Sequence, residues 1–451
     1  MKIFILNPSI YGKKKSLMGV RKRQPLSLAY IASLLRDEHE IVFLDANALD
    51  YNTEETVKKI KEVRPDILIL TSSPVDRWEC PNSHIDSVFE IIDNAQIGNT
   101  VLIGSHGSAT PDWLFGKCRV KFIVRGEPEL IVTDLVVALR DKKDLRKVSG
   151  ISFRENNKIF HNSLAPRIEN LDSLPFPAYD LLPMDKYSYT HSDLPQPFSI
   201  MFTSRGCPFS CIFCLKIMMP GKYIVRTPEN IIEEIKYLID RFGIRSVFFQ
   251  DWEFLIDKER VRKICGLILK NNLKFEWGCN ARLSDIEEEL VAMMKKAGCC
   301  RINIGLESGS QKILNQAKKG INVQDLERVV KILRENQVHF GAYGLLNLPG
   351  ETSATIKETA ELFEKNEIQA INFNLAIPYF GTELFEKLRK NPKNQEFNWE
   401  NIEDFAGRVE AELSPFWARF YLRHFKFRSR FGRFYFLNPR FYQKIISRLI
   451  Q

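Results

Sequence analysis

No uninterrupted apolar run in these 451 residues approaches the ~18 needed to cross a bilayer, which excludes a helical membrane span. A charged-then-apolar leader is missing too. Met1-Lys2 runs straight into the short apolar segment Ile3–Leu6 and then Asn7-Pro8, so no signal peptide is expected. The nine cysteines are odd in number and clustered, which disfavours a secreted disulfide framework and makes a reducing cytoplasm the expected compartment. Acid is almost absent from the end of the chain: residues 411–451 hold nine Lys/Arg against Glu412 alone, or +8 of the total +9. The body is therefore close to neutral, and any anionic partner is localised to the tail. At this length, with 44% hydrophobic residues, two to three domains with real cores are expected.

What the chain does have is three cysteines in Cys207-Pro208-Phe209-Ser210-Cys211-Ile212-Phe213-Cys214, spaced Cys-x3-Cys-x2-Cys with no fourth nearby. Three thiolates leave one iron of a [4Fe-4S] cluster without a protein ligand, open to a small molecule. A structural zinc site would be closed by four ligands, so a zinc reading needs a distant His to complete it. A third reading packs the cysteines on a strand-to-helix turn. Cys80, Cys118, Cys265, Cys279, Cys299 and Cys300 form no second triplet and read as buried core thiols.

The pattern divides the chain into four stretches. Over residues 1–150, short apolar runs (Ile3–Leu6, Ile41–Leu44, Ile67–Leu70, Val101–Ile103, Phe122–Val124) alternate with helical periods at Leu26–Leu35, Glu54–Val63 and Asp86–Ile92. That predicts an α/β doubly wound parallel sheet, Rossmann-like, with ligands at the strands' carboxyl ends. Those ends carry Thr71-Ser72, Gly104-Ser105-His106 and Gly126-Glu127; a scaffold of tight turns without a ligand has the same pattern. Residues 151–198 are rich in proline and read as a pinned connector. From 199 to 390 six further strand–helix units predict an open, partial (β/α)6 barrel, with chemistry on the loops after the strands. Residues 391–451 are a basic, aromatic-rich extension. Its rings and bases suit a helical wrap on the barrel or a membrane-surface contact; nucleic acid is the least favoured partner, since the body lacks a matching basic face.

The cysteine spacing with Phe213 before the last cysteine resembles the radical S-adenosylmethionine (SAM) superfamily. "LIGSHGSATP" and "VRGEPE" are similar to the cobalamin-binding turns of its class B methyltransferase-like branch, and the resemblance covers essentially the whole chain. It implies that the open iron takes the amino and carboxylate groups of SAM. An electron from an external reductant then releases a 5′-deoxyadenosyl radical. In that branch a second SAM methylates reduced cobalamin, which passes the methyl to a substrate carbon radical. The implied activity is C-methylation of an unactivated carbon. The rival enzyme reading is oxidative cyclisation or carbon–carbon bond formation on a lipid or tetrapyrrole. Outside enzymes the rival is a cobalamin-binding sensor or scaffold.

By the same resemblance the SAM residues are Glu307 for the ribose, Lys319 and Arg282 for the carboxylate, Asp251 and Glu253 for the amino group, Phe213 against adenine, and Arg226. Cobalamin would meet Thr71, Ser72, Gly104, Ser105, His106, Gly126 and Glu127. Two features depart from the pattern. Ser105 replaces a glycine, and no Asp-x-His-x-x-Gly occurs, so cobalt is expected to lack a histidine below it. An N-terminal cysteine triad is absent, which argues against a tRNA methylthiotransferase. The substrate stays open among lipids, glycan precursors, peptides and natural products.

Overall fold

The computed structural model describes residues 1–9, 22–189, 194–405, 408–409, 414, 416–417 and 419–421. Five strands, β1 (Lys2–Asn7), β2 (Glu40–Asp45), β3 (Ile67–Thr71), β4 (Thr100–Ile103) and β5 (Phe122–Val124), run parallel in the order β2-β1-β3-β4-β5. Their residues Ile3–Leu6, Ile67–Leu70 and Val101–Ile103 are wholly buried, because helices cover both faces. Those helices are α1 (Leu26–Leu35), α2 (Thr53–Val63), α3 (Asp86–Ala95), α4 (Ser105–Ala109), α5 (Pro111–Lys117) and α6 (Pro128–Arg140).

The sheet does not stop at residue 150. Strands β6 (Ile151–Glu155) and β7 (Lys158–His161) extend it antiparallel beyond β5, in sequence read above as connector. Asn156 and Asn157 turn this hairpin with φ of 49° and 61°, the conformation a two-residue type I′ turn requires. The Asn-Asn pair was the available signal; the strands' mixed polarity concealed it. Beyond the hairpin the connector is fastened at both ends. The Tyr187 hydroxyl donates to Asp45 of the first sheet (2.7 Å), and the Tyr179 hydroxyl donates to Glu234 of the barrel (2.6 Å).

The second sheet has six parallel strands in the order β8-β11-β12-β13-β14-β15: β8 (Phe198–Met201), β11 (Ser246–Phe249), β12 (Glu276–Ala281), β13 (Cys299–Glu307), β14 (His339–Leu346) and β15 (Gln369–Leu375). Two short strands, β9 (Ser204–Arg205) and β10 (Ile224–Val225), pair antiparallel after β8. Helices α7 (Pro228–Phe242), α8 (Lys258–Lys270), α9 (Glu288–Lys296), α10 (Gln311–Gln316), α11 (Asp325–Glu335) and α12 (Ser353–Lys365) cover the outside. Helix α7 starts where its sequence says it should: the Thr227 side chain caps Asn230 N–H and Pro228 fills the first turn.

After β15 the chain folds back with helix α13 (Glu383–Arg389) into a cluster containing Leu384, Phe385, Ile402, Phe405 and Val409, which packs on Ile212 and Leu215 of the cysteine loop. Among the described residues no helix is long and apolar enough to cross a membrane. Residues 422–451, most of the basic tail, lie outside the described residues.

Candidate active site

The cysteine loop hangs between β9 and β10, and every end of it is tied down. Asp251, just past β11, accepts the backbone N–H groups of Thr203 (2.7 Å) and Ser204 (3.0 Å) and the Thr203 hydroxyl. Arg205 is buried against Glu129 (2.8 Å) and Glu127 (3.1 Å) of the N-terminal domain. Inside the loop, Ile212 N–H donates to the Ala317 carbonyl (3.1 Å); at its end, Leu215 N–H donates to that of Glu79 (3.2 Å).

Gly206 carries φ +86°, and a Cβ there would stand 2.3 Å from the Lys222 carbonyl oxygen. The Gly206→Ala variant is therefore expected to displace Cys207 and cut bound iron at least about twofold, with a lowered Tm. Gly221→Ala is the control, equally left-handed (φ +77°) but with nothing within 4 Å. Equal iron in the two variants would refute the steric argument.

Cys207, Cys211 and Cys214 face a cavity of roughly 590 Å³ at the carboxyl ends of the barrel strands. Among the described residues no three His, Cys, Asp or Glu side chains converge as ligands of one ion, as zinc would demand. Three thiols on one loop, all facing the cavity, are the donor set that a [4Fe-4S] cluster with one open iron needs. Burial pushes the Cys207 and Cys214 thiols up, so they ionise only against the charge of bound iron.

Four of the expected SAM residues line the same cavity as one charged set. A bulge in β13 between Gly305 and Glu307 holds Glu307 at φ +70°, uncommon for a side-chain-bearing residue, and the Glu307 carboxylate faces the cavity. The Lys319 ammonium pairs with it at 2.9 Å, over Gly305, where a Cβ would lie 2.7 Å from that nitrogen. Burial, the largest single effect, lowers the Lys319 ammonium, but Glu307 and Cys211 together outweigh it and the net shift is upward. Arg282 donates to the carbonyls of Lys319 and Gly320 and lies 3.5 Å from the centre of the Phe209 ring. Phe213 also lines the cavity.

Burial, with the Asp285 charge adding to it, raises the Glu253 carboxyl to about 8. The folded protein thus holds this proton more tightly than the unfolded chain does. Its contribution to stability is full below the ordinary carboxylate range and is lost as pH rises through about 8. If its anion grips the SAM amino group, SAM affinity is expected to rise toward pH 8 and level off above it. A titration between about pH 6 and about pH 9 checks this. An unchanged slope in Glu253→Gln would remove Glu253 from the role.

Asp251 and Arg226 do not reach the cavity. Asp251 is fully buried and spends its oxygens on the chain before the cysteine loop; it is a positioning residue. Arg226 is paired with Glu234 and donates to the Phe202 carbonyl (3.1 Å).

The seven residues expected at cobalamin do not line the cavity either, because residues 73–83 fold back over the strand ends. His106 is buried, which lowers its imidazole to about 4. Its Nε2–H donates to the Asn82 carbonyl (2.7 Å), and its Nδ1 lies 3.0 Å from the Ser72 hydroxyl. The Ser105 hydroxyl donates to Trp78 and the Thr71 hydroxyl to Ser73, while Gly104 packs against Ser72 and Ser73. Glu127 joins the ion cluster with Arg205 and Arg167. Gly126 alone of the two glycines has open space above it.

The N-terminal loop that does line it supplies Asp76, Arg77, Glu79, Cys80, Pro81, Asn82 and Ser83, with Glu79 beside Cys214 and the Tyr379 hydroxyl donating to the Pro81 carbonyl (2.6 Å). Sequence reasoning missed this loop, which has no motif. It also missed Phe209, which lies inside the cysteine motif. A second cavity of roughly 370 Å³, at the opposite strand ends near Arg245 and Gly298, holds none of this chemistry.

The radical SAM superfamily model matches residues 201–363. An uncharacterized methyltransferase of Pyrococcus horikoshii is 33% identical over 402 residues, covering 88% of this chain and 85% of the relative. The anaerobic magnesium-protoporphyrin IX monomethyl ester cyclase of Rubrivivax gelatinosus is 27% identical over 397 residues, 86% of this chain and 70% of the relative. In fold, the chain is similar to the radical SAM methyltransferase TsrM from Kitasatospora setae, solved with cobalamin and a [4Fe-4S] cluster. The TM-score is 0.68 at 18% identity, over 86% of this chain and 74% of that one. The matched barrel, its three-cysteine loop, and a relative alike over nearly the full length mean that this chain belongs to the radical SAM superfamily.

Proposed function

We propose that the protein is a cobalamin-dependent radical SAM enzyme that methylates an unactivated carbon. One observation carries this reading: a single cavity is lined by the three cysteines, by Glu253, Arg282, Glu307 and Lys319, and by residues of the N-terminal loop between Asp76 and Ser83. When bound, the cluster with SAM supplies an electron and a carbon radical, and cobalamin supplies a methyl carrier.

The chain's own residues bind and orient. Glu253 and Arg282 address the two charged groups of SAM's amino-acid end, and Glu307 accepts hydrogen bonds from its ribose. Leu375, Ala376, Ile377 and Tyr379 form an apolar wall that keeps water from the reacting carbon. On the cobalamin side, Arg77, Asn82 and Ser83 offer polar partners to a corrin's amide arms. The electron comes from an external one-electron reductant. Cys265, Cys279 and Cys299 are buried in the barrel core.

Among the described residues no histidine lines the cavity, and both ring nitrogens of His106 are engaged, so cobalt is expected to bind without a protein histidine. Electron spin resonance of the reduced corrinoid protein checks this; histidine nitrogen coupling would contradict it. The function itself is tested by anaerobic reconstitution with iron, sulfide and corrinoid analysis, then product mass. A gain of one methyl supports methylation. The relatives named as cyclases favour one alternative, oxidative ring closure on a tetrapyrrole, for which the product would instead lose hydrogen.

A further inference from the structure

We propose that Arg23, Gln250 and Trp252 bind an oxyanion of the substrate, a carboxylate or a phosphate. The methyl acceptor of the reading above, on which this one rests, is then an apolar compound carrying an anionic group. All three side chains line the cavity of the cysteines. Gln250 and Trp252 stand just past β11 on either side of Asp251. They line the cavity, whereas Asp251 is spent on the chain before the cysteine loop. Arg23 comes from the N-terminal domain, just ahead of α1, and its Nη1 donates to the Gln250 side-chain oxygen. The trio therefore sits where the two domains meet, which is where a carbon must lie to take a radical from one cofactor and a methyl from the other.

What sets the trio apart is hydrogen-bond donors left over. Arg23 is only 7% exposed, yet its Nε–H is buried without an acceptor. The Asp76 carboxylate stands 3.6 Å from Nη1, close enough to pair with the charge and too far to take a hydrogen bond. The Trp252 indole N–H is likewise buried with no acceptor, and the Gln250 amide nitrogen donates to no described residue. Other polar groups of the same cavity satisfy one another: the Tyr343 hydroxyl donates to Asn280 (3.2 Å), and Asn280 donates to the Asp251 carbonyl (3.0 Å). Buried donors without acceptors are costly, so three of them at one cavity call for an acceptor from the ligand. The guanidinium among them selects an oxyanion, since charge-assisted bonds are the stronger ones. Leu375, Ala376 and Ile377 of the same cavity suit an apolar body behind that anion.

The test is calorimetric titration of the full-length protein, loaded with cluster, SAM and cobalamin and kept without reductant. The probes are hexanoate and hexyl phosphate, with hexanamide as the neutral isostere. The better anion is expected to bind at least about tenfold more tightly than hexanamide, and its identity names the oxyanion. Arg23→Gln is expected to erase that preference. Asp76→Asn, which removes a competing carboxylate, is expected to enlarge it by about threefold. Because Arg23 joins the two domains and its variant risks misfolding, competition on the wild-type protein is the second measurement. Hexanoate affinity should be the same with and without SAM, and with and without cobalamin. Release of hexanoate by SAM would give the donors to SAM's carboxylate, and release by cobalamin would give them to its phosphate. Either result, equal binding of hexanamide, or an anion preference that survives Arg23→Gln would overturn the proposal. Failure of the methylation reading shows separately, as absent 5′-deoxyadenosine or an unmethylated product, and leaves these affinities unchanged.

Discussion

Alanine in place of Cys207, Cys211 or Cys214 is expected to take bound iron toward zero and abolish 5′-deoxyadenosine formation. The loss should be complete rather than a third, because two thiolates hold a four-iron cluster poorly and the loop has no fourth cysteine to substitute. Cys80 is the informative control. It lines the same cavity, yet it belongs to the N-terminal domain and lies outside the ligand spacing, so Cys80→Ala is expected to keep its iron and its SAM cleavage. Iron, sulfide and 5′-deoxyadenosine assays on anaerobically reconstituted protein read both results. Full SAM cleavage by any one of the three ligand variants would overturn the open-iron reading.

The next largest effect is expected at the Glu307–Lys319 pair. Lys319→Met leaves the Glu307 carboxylate, 8% exposed, without its cation, and removing one partner of a buried pair costs about 3–5 kcal/mol. SAM cleavage should fall by about two orders of magnitude, as when a preorganised charged contact is removed. Stability and chemistry are separable here. The double variant Glu307→Gln, Lys319→Met buries no lone charge and should regain much of the Tm, while its SAM affinity stays low because the ribose and carboxylate contacts are gone. Wild-type SAM affinity in the double variant would reduce the pair to a structural brace.

The thirteen strands of the two large sheets were not equally legible. Ten of the eleven parallel ones were, since a strand buried on both faces writes itself as a short apolar run bounded by turn residues; β15 was found as well, though its polar residues blur the run. The hairpin β6–β7 was not, because one of its strands is mostly exposed and its alternation is weak. Helix α6 was passed over as well, although Pro128 at its first turn and its apolar period mark it.

The sequence alone determined the chemistry of the cysteine loop: ligand type, number and spacing lie within eight consecutive residues, and local chain geometry carries them to one place. It also determined the alternation that builds a doubly wound sheet ahead of a partial barrel, because burial on both strand faces is a local property of composition. Which charges line the cavity was decided only by the tertiary structure. Asp251, Arg226 and Glu127 have the same chemistry as Glu253, Arg282 and Glu307. The first three found buried partners in Thr203, Glu234 and Arg205, while the second three stand at strand ends that open on the cavity. The loop Asp76–Ser83 came to line the cavity for the same reason. A charge's role depends on which partner the fold brings within hydrogen-bond distance, and in Arg205–Glu127 that partner is 78 residues away.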